Sequence, residues 1–228
     1  MSIVLEEEII PVFTQEMKID KILSYTSKME GIYFLNNREV LKWIYGNNDF
    51  LPSYTHKKHT TKEREVLKKE EDIWGRSILK KCRPDLEVKQ LWTGKLGEEL
   101  CNEFYTLLGY TVNKPVKKEH FQPDLEVENS ILEIKTETYY TDGTAGEKIL
   151  GCPFKYCEVP KLYNKKLTIV CLGGAEKACR EEYGCLPGPK YKGTKRQLIN
   201  MYRKQLKIEY IGVTDLCNKL LSGDFKNQ

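Results

Sequence analysis

The chain has 228 residues, with 37 basic against 33 acidic side chains and a formal net charge of +4. That length suits one good core with a small appended region, and the charge balance excludes a polybasic tail while leaving room for a locally basic surface. With no secretory apolar segment and no run long enough to span a bilayer, a cytoplasmic protein that engages no membrane is expected.

The first ninety or so residues read mainly as helix. Residues 14–29 carry Met17, Ile22, Leu23 and Met29 and close at Gly31. Asn37 is placed to cap a second helix holding Val40, Leu41 and Ile44 and ending at Gly46. Thr60 or Thr61 opens a third, which runs through Val66 and Ile73 towards Pro84. Residues 1–91 therefore form a helical N-terminal region, whose role as cover, dimer surface or DNA grip is open. From Leu96 to Tyr110 a helix places Leu100, Phe104, Leu107 and Leu108 on one stripe, with Gly109 as its stop. Tyr110-Thr111-Val112 reads as a short strand.

A hairpin follows. Leu125-Glu126-Val127-Glu128 alternates apolar and polar, Asn129-Ser130 makes the turn, and residues 131–135 return. Beyond it, residues 147–163 are helical in part, interrupted by Pro153 and Pro160. Leu167 to Leu172 is a buried strand, and Gly173-Gly174 opens a helix reaching about Glu182. Leu186-Pro187-Gly188-Pro189 is a loop, residues 206–211 a last strand, and residues 214–221 a short helix. Residues 92–228 are thus the core of an α/β protein.

The hairpin carries the chemistry. Successive strand side chains point to opposite faces, so Glu133 and Lys135 share one face while Leu132 and Ile134 share the other. Asp124, after Pro123, is brought beside the polar face. Two carboxylates and an ammonium then meet over an apolar floor. A hard cation such as Mg²⁺ prefers oxygen ligands and is usually held by one or two carboxylates plus substrate phosphate. Asp124 and Glu133 are the expected ligands, with the Ile134 carbonyl as a third. The ion would lower the pKa of a bound water, and Lys135 would orient that water and stabilise the transition-state oxygens. An earlier run, Pro84-Asp85-Leu86-Glu87-Val88-Lys89, has the same letters, but one residue between its acids leaves no space for a turn.

The Pro123-Asp124 and Glu133-Ile134-Lys135 pair, with its preceding helix, resembles the PD-(D/E)XK nuclease superfamily. The resemblance implies a restriction-endonuclease-like core, α-β-β-β-α-β, with a mixed sheet flanked by helices. Gly97-Glu98 at the helix start and Gly109-Tyr110 at its end match the pattern of related nucleases. They imply a further catalytic acid at Glu98, with Glu99 as the alternative. Glu70 to Arg76, Arg83 to Leu86, Gln90 to Thr93, Thr141 to Ile149 and Pro153 to Tyr156 look like type II restriction endonucleases. That resemblance implies a homodimer cutting double-stranded DNA at a short palindromic site with Mg²⁺, or with Mn²⁺ in its place. A structure-specific repair or recombination nuclease is the alternative, and a non-catalytic DNA-binding protein a more distant one.

Phosphate contacts are expected from Lys190, Lys192, Lys195 and Arg196, in a stretch with no acid that continues to Arg203 and Lys204. Lys114, Lys117 and Lys118 lead into the hairpin, and Lys57, Lys58 and His59 mark an earlier loop. The loop from Tyr139 to Gly146 leaves the catalytic strand, so Thr141, Asp142, Gly143 and Thr144 are candidate DNA contacts. Asp142 is able to accept from a cytosine amino group. Lys148 and Lys155 extend the set. The eight cysteines, scattered through a long charged chain, are expected to be reduced thiols. Cys152 with Cys157, and Cys171 with Cys179 and Cys185, lack paired CxxC spacing, and His56 and His59 lie far from them, which argues against structural zinc.

Overall fold

The computed structural model describes residues 13–86, 91–141 and 145–226. Helix α1 (Gln15–Thr26) starts where the Thr14 hydroxyl accepts from the Met17 N–H, and it buries Ile19, Ile22 and Thr26. Met17 lies outside that stripe and is exposed. Helix α2 (Arg38–Ile44) is capped by Asn37, as expected, and buries Val40, Leu41, Trp43 and Ile44. Helix α3 (Thr61–Cys82) opens with Thr60 and Glu63 exchanging reciprocal hydrogen bonds. Its buried stripe begins at Leu67 and continues through Glu71, Trp74 and Ile78, which leaves Val66 and Ile73 in solvent.

These helices share one apolar cluster with the sheet. Trp43 lies 6.0 Å from the rings of Trp74 and Trp92 and 5.8 Å from Tyr139. Such tilted and edge-on pairs are the favoured aromatic geometries. The buried Glu71 carboxylate accepts from Trp43 Nε1 at 2.7 Å and from the Tyr139 N–H. Burial pushes its pKa up to about 7 despite those bonds.

Helix α4 (Trp92–Leu107) begins four residues earlier than its apolar stripe implies, and it ends at Gly109 with φ +86. Gly97 is therefore mid-helix. A Cβ there would stand 2.0 Å from Thr136 Oγ1, so the glycine is what lets α4 lie against the sheet. Tyr110-Thr111-Val112 forms no strand. Thr111 gives its N–H to the Glu128 side chain and Pro115 has none to give, so pairing stops at one bridge, Asn113 to Glu126.

Among the described residues the sheet has four strands in the order β1 (Leu125–Val127), β2 (Ser130–Glu137), β3 (Lys166–Gly173), β4 (Ile208–Gly212). The first pair is antiparallel and the other two are parallel. This is an α/β architecture with a mixed sheet flanked by helices. Leu132, Ile134, Val170 and Leu172 face α4 and the N-terminal helices. Ile131, Leu167, Ile169 and Cys171 face a second cluster built with α5 (Ala145–Lys155) and α6 (Val159–Tyr163). Pro153 sits inside α5 instead of interrupting it. The carbonyl that its missing N–H would leave open, that of Ile149, accepts from the Tyr210 hydroxyl at 2.9 Å. Helix α7 (Gly174–Ala178) continues as a π-helical turn to Tyr183. Residues 193–201 form α8 (Gly193–Met201), where the sequence showed only charge, and a second π turn carries it to Leu206. Lys207, at φ 55, then breaks the chain into β4, which starts at Ile208 instead of Leu206. Helix α9 (Val213–Ser222) closes the fold. No helix among the described residues is long and apolar enough to cross a membrane.

Candidate active site

The register Leu125 to Leu132 fixes the hairpin and sets Asp124 opposite the middle of β2. Its backbone N–H donates to the Leu132 carbonyl at 3.2 Å, and its carboxylate accepts from the Ile134 N–H at 2.7 Å. The N–H and C=O of one strand residue point to the same edge. The Ile134 carbonyl therefore faces the Asp124 side, where a ligand role was expected of it. Glu133 and Lys135 lie on the opposite sheet face from Ile134, with Lys135 Nζ donating to Glu133 Oε1 at 2.6 Å.

The electrostatics of this group are unbalanced. Burial and the neighbouring Glu133 carboxylate raise the Asp124 pKa from the ordinary 3.8 to about 6, against the opposing Ile134 hydrogen bond and Lys135 charge. Lys135 is held above its ordinary value: burial would lower it, but Glu133, Cys152 and Asp124 together outweigh burial. Glu133 is 4 % exposed; its Oε2 makes no well-formed hydrogen bond among the described residues, although the Tyr156 hydroxyl approaches the carboxylate. Two crowded carboxylates thus share one ammonium, and one buried oxygen is left over. That donor set fits a hard divalent cation. Among the described residues no three His, Cys, Asp or Glu side chains converge as a metal cage. Mg²⁺ commonly takes only one or two carboxylates and fills its other positions with water and phosphate.

Glu98 and Glu99 share Lys95 but differ in their other partners. Lys114 Nζ donates at 3.0 Å both to Glu98 Oε2 and to the Asp124 carbonyl, which places Glu98 beside the hairpin. The Glu98 charge contributes to raising Asp124. Glu99 is held by Arg83 at 2.7 Å, and Lys95 bridges the two acids, 2.9 Å from Glu99 and 3.7 Å from Glu98. Asp85, of the earlier look-alike motif, is exposed and ion-paired with Arg83 at 2.8 Å, and Glu87 and Lys89 lie outside the described residues.

The remaining expected contacts are spread out. A cleft of about 810 Å³ opens where β2 ends, lined by Lys135, Thr136, Glu137, Thr138, Thr141 and Lys148, among others. Thr141 is hydrogen-bonded to Thr138 through their hydroxyls. Asp142, Gly143 and Thr144 lie outside the described residues. Lys155 is exposed, with its ammonium 4.7 Å from the Tyr156 ring. Lys190, Lys192, Lys195 and Arg196 are exposed around the start of α8, and none contacts Asp124, Glu133 or Lys135 among the described residues.

Glu137 also lines the cleft and is not among the expected site residues, although the period of two from Glu133 and Lys135 marks it. It is half-buried, with its pKa raised by burial and moderated by Lys148. Lys68 and Asp72 of α3, which line the far side of the cleft, have no local signal. Comparisons of the chain with protein-family models, curated proteins and solved structures returned no match.

Proposed function

We propose that the chain is a metal-dependent endodeoxyribonuclease with a restriction-endonuclease-like core, acting on double-stranded DNA. The observation that carries this reading is the convergence of Asp124, Glu133 and Lys135 at one hairpin, with the buried Glu133 Oε2 lacking a well-formed hydrogen bond among the described residues. Asp124 and Glu133 would hold Mg²⁺ or Mn²⁺, with the Ile134 carbonyl beside them. When bound, such an ion supplies Lewis-acid activation of water and of phosphate oxygens.

The chain's own residues do the rest. Lys135 stands with its ammonium beside Glu133, where it donates to phosphate oxygens as their charge grows. The Ile134 N–H fixes the orientation of the Asp124 carboxylate. Lys114 ties Glu98 to the same hairpin, so the helix acid moves with the site.

Within this reading we favour a type II restriction enzyme: a homodimer cutting each strand once at a palindrome, as the sequence resemblance implies. Digestion of unmethylated plasmid and phage DNA with Mg²⁺ or with EDTA, followed by sequencing of the fragment ends, tests it. A Mg²⁺-dependent ladder with one shared end sequence supports the restriction reading. A smear, or cleavage confined to branched or nicked DNA, replaces it with a structure-specific nuclease.

A further inference from the structure

The cleft at the end of β2 is lined by β2, by the start of α4 at Trp92 to Gly94, by α5 and by α3. Lys135 and Thr136 come from β2, Lys148 from α5, and Lys68 and Asp72 from α3. Lys68 precedes Asp72 by one helical turn, the spacing at which opposite charges normally meet on a helix. They do not meet here. The half-buried Asp72 carboxylate accepts from Trp92 Nε1 at 2.7 Å instead. Of the other lysines lining the cleft among the described residues, Lys135 is ion-paired with Glu133, and Lys148 lies close enough to Glu137 to favour its charged form without forming an ion pair. Lys68 is exposed, faces the same space, and has no carboxylate partner among the described residues.

We propose that Lys68 binds a backbone phosphate of the substrate, next along the strand from the phosphate at Lys135, so that α3 is the second wall of the nucleic-acid track. This rests on the nuclease reading and extends it, because it gives the N-terminal helical region a part in substrate binding. The cleft holds the α3 ammonium and Lys135 in its lining together, and a nucleic-acid strand carries one charge per nucleotide to meet them. The contact is to phosphate, so it contributes affinity and positioning without reading sequence.

The test is binding of a mixed-sequence duplex to the full chain in Ca²⁺, read by fluorescence anisotropy across a salt series. Lys68→Ala is compared with wild type and with Lys80→Ala, an exposed lysine three turns further along α3. One lost phosphate contact lowers the slope of log K against log salt by about 0.9 and weakens binding roughly eightfold at 0.1 M salt. That change in Lys68→Ala, with Lys80→Ala unchanged, is the expected result. Unchanged slope and affinity in Lys68→Ala, or equal falls in both variants, overturn the inference while the nuclease reading stands. Wild-type protein that binds no duplex removes both together.

Discussion

Replacing Asp124 with asparagine should make the protein more stable while destroying its activity. Asparagine has nearly the same shape, and its side-chain oxygen still accepts from the Ile134 N–H. What it removes is a buried negative charge beside Glu133. The Asp124 pKa rises from 3.8 to about 6 on folding, roughly two units at about 1.4 kcal/mol each. The cost is shared with Glu133, so the expected gain at pH 8 is roughly 1–3 kcal/mol. The sign follows from the direction of the shift. A carboxyl raised on folding costs stability at pH above about 6, and the cost fades as pH falls towards 4 and the native carboxyl takes up its proton. The advantage of Asp124→Asn should therefore shrink by roughly half at pH 5. Urea unfolding in EDTA at both pH values measures it, with an unchanged m-value as the sign that the comparison is clean. Mg²⁺ should then stabilise wild type selectively, by about 2.7 kcal/mol at a hundred times its dissociation constant. A variant no more stable than wild type at pH 8, or a gap that ignores pH, refutes the electrostatic account of the site.

Two other perturbations probe how the site is held. Gly97→Ala forces a methyl to 2.0 Å from Thr136 Oγ1, so α4 must lift from β2 at a cost of about 1–3 kcal/mol in urea unfolding. Most of that loss should vanish in a Thr136→Ala background, and a cost that persists there shows that the clash is not the cause. Glu98→Gln should lower cleavage about tenfold or more, as loss of a group supporting a metal site does, while Glu99→Gln changes it little. Equal effects of the two substitutions in a cleavage time course contradict the placement of Glu98, through Lys114, at the hairpin.

The hairpin was legible because its information is local. Period-two alternation put Glu133 and Lys135 on one face, and the short turn put Asp124 within reach. The Asn37 and Thr60 caps and the Gly109 stop were legible for the same reason, since each is a backbone requirement met by the residue itself. What failed depended on contacts distant in sequence. Gly97 reads as a helix start until β2 is laid against it. Pro153 reads as a break until Tyr210 satisfies the open carbonyl. Thr111 reads as strand until Glu128 takes its N–H. Val66 and Ile73 read as core, yet the stripe that α3 buries carries the carboxylate of Glu71 because Trp43 and Tyr139 supply its donors. The α3 side of the cleft belongs to this class, since nothing near Lys68 in the chain announces what it faces.

The central claim is that the hairpin hydrolyses DNA with a divalent cation, and one gel tests it most directly. Phage DNA is incubated with purified wild type in Mg²⁺ and in EDTA, and with Asp124→Ala in Mg²⁺ after its DNA binding has been verified. The account predicts cleavage in the first reaction alone. Undiminished cleavage by Asp124→Ala, or by wild type in EDTA, would contradict it.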